Sequence, residues 1–257
     1  MKSLIYLGVF FDRYYVNLLS LCLKSLVRFG NIPADTDILV FTSYDLAPDV
    51  ETAVRKIPLS IRVESLTEII TLRDAFGQRL SMPEYVDIFQ YERILYLDTD
   101  ILIGSSIERL FSTPLKDDTV YAMKNGYLNH ECFCKGFFDF DVVDGDISSV
   151  NSGVYLFKPS QTMKTLFATM HTDFKSQRVP GAFTDQSYFA YHLFINRCYD
   201  NEFLNEFIGC EFKEGCPSKP IYHFIGPNAG EVRPKLDIMN DVFYNHLIKT
   251  DEHNIDS

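Results

Sequence analysis

Two aspartates one residue apart can share a divalent cation, and the 257-residue sequence offers four such Asp-x-Asp pairs: Asp35/Asp37, Asp98/Asp100, Asp139/Asp141 and Asp144/Asp146. Context separates them. Asp98-Thr99-Asp100 closes the apolar run Ile94-Leu95-Tyr96-Leu97 and is followed at once by Ile101-Leu102-Ile103, which forces two acids into an apolar setting. Burying an unpaired charge is costly and two close carboxylates repel, so this pair calls for a cation or strong donors. A hard divalent ion satisfies both acids; the competing reading has each carboxylate cap a helix or pair with a lysine. Asp35 and Asp37 precede an apolar run instead of closing one and read as a solvated turn. The other two pairs lie in a stretch rich in Gly and Phe with no strand before it, and read as turns. His223, after Pro220-Ile221-Tyr222 on a short expected strand, reads by itself as an ordinary histidine more readily than as a ligand.

Ligands of an open α/β sheet bind outside the carboxyl ends of its strands, so the elements around Asp98 decide whether the pair is usable. The run Leu4 to Phe11 reads as a strand covered on both faces. Val16, Leu19, Leu23, Leu26 and Val27 fall at helical spacing, and Gly30-Asn31-Ile32-Pro33 supplies a stop. Further strands are expected at Ile38 to Phe41, Ile61 to Val63 and Ile94 to Leu97. Helices are expected at Pro48 to Ile57 and at Arg79 to Phe89, the latter broken or entered at Pro83. This alternation predicts a mostly parallel sheet with helices on both faces. After Asp100 the rhythm changes. Strands at Val120 to Met123 and Val154 to Phe157 flank an irregular stretch, helices follow at Thr162 to Phe174 and Gln186 to Phe194, and the tail is loop-rich. No linker or repeat divides the chain. The reading is one α/β domain over 1–257, in which a Rossmann-like, nucleotide-binding half (1–103) merges with an α+β, acceptor-binding and metal-completing half (104–257).

Thirty-five acidic residues against 24 basic ones leave a formal charge of −11, a field that repels phosphate backbones and excludes nucleic acid from the expected partners. A nucleotide can still bind if a metal cation stands between its phosphates and the carboxylates. With 46% hydrophobic residues the chain can bury an ordinary globular core, which excludes intrinsic disorder. Six cysteines, Cys22, Cys132, Cys134, Cys198, Cys210 and Cys216, are too few and too irregular for a disulfide scaffold. The Cys-x-Cys at 132 and 134 is not a common zinc spacing either, so reduced thiols are expected. No apolar run approaches the roughly 18 residues of a membrane span. The apolar start runs into Asp12-Arg13 with no small-residue cleavage site, so a soluble, cytoplasmic protein is expected.

Four blocks resemble, in order and spacing, those of the glycogenin-like glycosyltransferases called family eight: Tyr91 to Asp100, Asn151-Ser152-Gly153-Val154, Asp185-Gln186, and His223-Phe224-Ile225-Gly226. The resemblance spans most of the chain and implies a GT-A-type fold. It implies manganese or magnesium, held by Asp98, Asp100 and His223 against the diphosphate of a nucleoside diphosphate sugar, a UDP-sugar first of all. Thr99 and Gly226 would lie in the same donor site, and Asn151 and Ser152 would make amide and hydroxyl contacts to donor hydroxyls. The segment Leu7 to Tyr14 resembles the family's first strand and turn, which would put Leu7, Val9 and Phe10 around uracil and ribose and stack Tyr14 on the base. Arg79 stands where the family carries a cation near the donor phosphates.

Three departures stand out. The family's diphosphate-gripping lysine follows the His-Phe-x-Gly block closely, whereas here Pro227 to Pro234 intervene and leave Arg233 or Lys235 for that task. The acid that the family carries before Asp-Gln is replaced in the region of Ala182 and Phe183. There is no tryptophan, so any stacking platform for an acceptor sugar must come from the 15 Tyr and 22 Phe.

The implied activity is transfer of a sugar to a glycan or other hydroxyl acceptor with retention of configuration, and Asp185, Gln186 and Arg79 are the implied catalytic residues. No acid beyond Asp185 offers itself as a nucleophile. Attack by the acceptor on the face of the leaving group is therefore favoured, with a diphosphate oxygen taking its proton and Gln186 beneath the sugar ring. Two rival readings stay open. A haloacid-dehalogenase-like phosphatase would use Asp98 as nucleophile, though that motif normally opens its fold. The other rival is a non-catalytic sugar-nucleotide or glycan-binding module.

Overall fold

The computed structural model describes residues 2–130, 133–177, 185–209, 219–225, 234–249 and 251. Strand β1 (Lys2–Val9) is apolar at nearly every position because both of its faces are covered. Leu4 and Tyr6 point into one core, and Ile5, Leu7 and Val9 into another on the opposite face. Helix α1 (Arg13–Phe29) packs Leu19, Leu23 and Leu26 against the second core. Asp12 caps it by accepting from the Tyr14 N–H. The expected stop at Gly30-Asn31 is present, and the left-handed residue is Asn31 (φ 47°), a position asparagine tolerates.

The chain continues through β2 (Thr36–Ser43), α2 (Ala47–Val54), β3 (Ile61–Leu66), α3 (Leu72–Tyr85) and β4 (Tyr91–Leu97). Helix α3 differs from its expected span. It starts at Leu72, because Thr71 and Asp74 form a reciprocal capping box, and Pro83 lies inside it instead of breaking or opening it. After β5 (Ile101–Ile103) and a single turn α4 (Arg109–Ser112) come β6 (Val120–Tyr127), β7 (Ser148–Phe157), α5 (Gln161–Lys175) and α6 (Asp185–Asn196). Short strands β8 (Tyr199–Asp200), β9 (Ile208–Gly209) and β10 (Ile221–His223) follow. Helix α7 (Lys235–Asp241) then runs into a π-helical segment, Val242–Ile248.

The main sheet has the order β3-β2-β1-β4-β7-β6-β8. The first four strands are parallel, while β7 runs antiparallel to both β4 and β6. The chain order reverses between β1 and β4, and at such a reversal the connections leave to opposite faces and open a crevice at the carboxyl ends. A second, small sheet, β5-β10-β9, sits beside it. Ile101 pairs with His223 there, which sets the histidine opposite the Asp98 to Asp100 turn. Among the described residues, no helix is long and apolar enough to cross a membrane.

Candidate active site

A cleft of roughly 1020 Å³, open to solvent, lies at this reversal, lined among others by Gly8 of β1 and Phe10 just after it, Phe76, Gln78 and Arg79 from α3, and Asp98 to Asp100. Its acidic edge is built by three backbone segments. The Asp98 N–H donates to the Gly153 carbonyl at 2.8 Å, and the Phe224 N–H donates to the Asp100 carbonyl at 3.0 Å. These bonds clamp the turn between β7 and β10. His223 Nε2 consequently lies 3.3 Å from Asp100 Oδ1 and 3.8 Å from Asp98 Oδ2. Ligand atoms of Asp98, Asp100 and His223 all fall within 4.8 Å of one another.

Two carboxylates and an imidazole suit a hard or borderline divalent ion. Asp100 Oδ1 is buried and, beyond the 3.3 Å approach of His223 Nε2, makes no well-aligned hydrogen bond among the described residues, which leaves it open to a cation. Gly153 shows how tightly the three groups converge. A Cβ built there would stand 2.3 Å from His223 Cε1 and 2.6 Å from Asp98 Oδ2, so only glycine lets the histidine and the acid meet over β7.

The cations are divided between the carboxylates. Lys235 Nζ, from α7, lies 2.6 Å from Asp100 Oδ2. The Arg79 guanidinium lies 3.4 Å from Asp98 Oδ1 and 3.2 Å from Asp185 Oδ2, and donates to Ser152 Oγ at 3.2 Å. Burial pushes the Asp98 and Asp185 carboxyls above the usual range, against the pull of Arg79. Burial pushes Asp100 the same way, but the His223 ring and the Lys235 ammonium outweigh it and hold that carboxyl well below the usual range. The Tyr96 hydroxyl donates to Asp98 Oδ1 at 2.6 Å and fixes its rotamer from below.

Asn151 and Ser152 belong to β7 itself, which starts at Ser148 and not, as the sequence reading expected, at Val154. The extended strand continues through them: Asn151 Oδ1 accepts from the Gly153 N–H at 2.7 Å, and the Gly153 carbonyl accepts from the Asp98 N–H at 2.8 Å. Asn151 Nδ2 donates to Gln186 Oε1 at 3.0 Å, which joins the strand to the first turn of α6. Asp185 is the first residue of that helix and is 2% exposed.

Several expected residues are placed elsewhere. Leu7 and Val9 point into the core under α1, and the cleft is reached instead by the alternate residue Gly8. Tyr14 faces α7, where its hydroxyl accepts from the Leu236 N–H at 2.9 Å, and the neighbouring Tyr15 lines the cleft. Phe10, Arg79, Asp98, Thr99, Asp100 and Lys235 do line it. Gly226 and Arg233 lie outside the described residues, as do Ala182, Phe183 and three of the cysteines. Sequence reasoning missed Gly8, Tyr15, Phe76 and Gln78. Period-two alternation along β1 was the available signal for Gly8, since Leu4 and Tyr6 share its face. The remaining acidic pairs do local work: Asp37 bonds Lys2 and the Tyr91 hydroxyl, and Asp139 and Asp144 accept from the backbone of Asp141 and Asp146.

The model of the family described as glycosyl transferase family 8 matches residues 60–193, more than half of the chain. The chain belongs to glycosyl transferase family 8. Solved structures agree on the fold. Mouse xyloside xylosyltransferase 1 in its apo form is 13% identical over 91% of this chain and 100% of that one, with a TM-score of 0.61. The WbbM bifunctional glycosyltransferase is 15% identical over 98% of this chain and 51% of that one, with a TM-score of 0.62. The glycosyltransferase GlyE of Streptococcus pneumoniae TIGR4 is 14% identical over 96% and 64%, with a TM-score of 0.56. No curated protein matches the chain. The family-8 chain is thus a glycosyltransferase of GT-A fold in one domain. The Asp98/Asp100 pair follows the fourth strand of the fold, whereas the phosphatase motif normally opens its fold, and family membership decides against that alternative.

Proposed function

We propose that this family-8 chain transfers a sugar from a UDP-sugar to a hydroxyl of a glycan or other acceptor, with retention of configuration. The observation that carries the reading is the convergence of Asp98, Asp100 and His223 at the edge of a cleft that opens at the sheet's reversal point. These three residues would hold manganese or magnesium. Such an ion supplies charge stabilisation to a departing diphosphate. Lys235 and Arg79 stand on either side of the triad and add positive charge where the leaving group would collect it. Phe10, Phe76 and Tyr15 also line the cleft and offer aromatic faces suited to a base.

Gln186, next to Asp185 in the first turn of α6, accepts at Oε1 from Asn151 Nδ2 and the Ser152 N–H of β7. In this reading its amide would lie beneath a sugar ring, and Ser152 and Asn151 would contact donor hydroxyls. Asp185 is covered and ion-paired with Arg79, which favours attack by the acceptor from the leaving-group face over a double displacement through Asp185. The test is calorimetric titration with a panel of nucleoside diphosphate sugars. A UDP-sugar should bind with manganese and lose that binding in excess chelator, since the diphosphate would then meet two uncompensated carboxylates. Equal binding in chelator removes the metal from the reading.

A further inference from the structure

A proline inside α3 leaves one carbonyl without its helical partner. In an α-helix the carbonyl of residue i accepts from the N–H of residue i+4, and for Arg79 that residue is Pro83, which has no N–H to give. An orphan carbonyl in a buried helix must be satisfied from elsewhere. Here two tyrosine hydroxyls do so. Tyr155 Oη of β7 donates to the Arg79 carbonyl at 2.6 Å, and Tyr6 Oη of β1 lies 2.9 Å from the same oxygen. Both side chains are fully buried, and their hydroxyls also bond each other. Two protons therefore serve three contacts, and the carbonyl's two lone pairs can take both.

The residue held in this way is the one whose side chain spans Asp98 and Asp185. We propose that Pro83, Tyr6 and Tyr155 are positioning residues for Arg79: the proline frees its carbonyl, and the two hydroxyls pin that carbonyl to the sheet. The inference deepens the reading of the cleft as a donor site and rests on it for its function. The aromatic stack extends the same tie to the metal-binding turn. Tyr96 lies between the two, with ring centroids 4.8 Å from Tyr6 and 4.9 Å from Tyr155, and its hydroxyl holds Asp98. Backbone and carboxylate of the ion pair are thus anchored in one buried cluster. A phenylalanine at 6 or 155 would fill the same space, so the hydroxyls have a task that packing does not explain.

The test is a cycle of variants. Tyr6→Phe/Tyr155→Phe keeps both rings and orphans the carbonyl, and should lower Tm by roughly 3–10 °C. Adding Pro83→Ala to it supplies an N–H at position 83 and should recover at least half of that loss. The same Pro83→Ala in the otherwise unaltered chain should give clearly less, because the carbonyl there is already satisfied. An equal effect of Pro83→Ala in both backgrounds overturns the proposal.

A second readout separates positioning from general destabilisation. The Arg79 Nε–Hε resonance, assigned by its loss in Arg79→Lys, should move towards the exposed-arginine position in the double tyrosine variant. It should stay in place in Val50→Ala, a core truncation in α2 with comparable loss of Tm. An unmoved resonance in the tyrosine variant refutes the positioning role. Manganese-dependent affinity for UDP should fall about tenfold in the same variant. If the unaltered protein binds no UDP with manganese, the donor-site reading fails, and the first two readouts still decide the fate of the tyrosine tie.

Discussion

Gly153→Ala is the sharpest perturbation of the metal-capable triad, because it adds one methyl group and removes nothing. The new Cβ would meet His223 Cε1 at 2.3 Å, Asp98 Oδ2 at 2.6 Å and His223 Nε2 at 2.8 Å, where ordinary contact begins near 3.4 Å. His223 would have to retreat by about an ångström. It has little room to do so, since Ile221 and Tyr222 of the same short strand are buried and Phe224 is tied to the Asp100 carbonyl. Overpacking of this kind costs about 1–3 kcal/mol, or roughly 2–12 °C in Tm for a chain of this size. Metal sites tolerate only ~0.2 Å in ligand distance, so manganese affinity should fall by at least the ~10–100-fold seen when a supporting contact is lost. Thermal unfolding followed by circular dichroism and a manganese titration followed by paramagnetic resonance measure the two effects. A variant that loses Tm but binds manganese as tightly as before would show that His223 and Asp98 are not ligands. One that loses neither would refute the close approach itself.

His223→Ala should abolish most metal-dependent turnover while changing stability by only about 1 kcal/mol, since a three-ligand shell loses a third of its protein donors. Full activity at low manganese in that variant would take the histidine out of the site. Arg79→Ala leaves Asp98 and Asp185 buried without their shared cation and should cost about 3–5 kcal/mol in denaturant unfolding, with Arg79→Lys intermediate because an ammonium cannot span both acids. An unchanged unfolding midpoint in Arg79→Ala would mean that the pairs seen at 3.2 and 3.4 Å contribute nothing. Proton NMR of the first-formed product from an α-linked donor should show an α linkage, and a β linkage would end the same-face mechanism.

The sequence by itself determined the order of strands and helices in the amino-terminal half, because an apolar run covered on both faces and an amphipathic helix have distinct periods that survive without tertiary context. It also singled out one acidic pair of four, since only Asp98 and Asp100 combine a preceding apolar strand with a following one. It could not place Asn151, Ser152 and Gly153 inside a strand: their letters suit a turn, and what ties the extended form in place is tertiary, the Asp98 N–H donating to the Gly153 carbonyl and Gln186 Oε1 accepting from Asn151 and Ser152. Nor could it assign Leu7 and Val9 to the core and Gly8 to the cleft, because the face of a buried strand that meets the ligand depends on which side the crossover helices leave open. The partition of cations was equally invisible. Lys235 meets Asp100 and Arg79 bridges Asp98 to Asp185 only because α7, α3 and α6 converge on one turn, and distances across 135, 19 and 106 residues of chain are settled by packing alone.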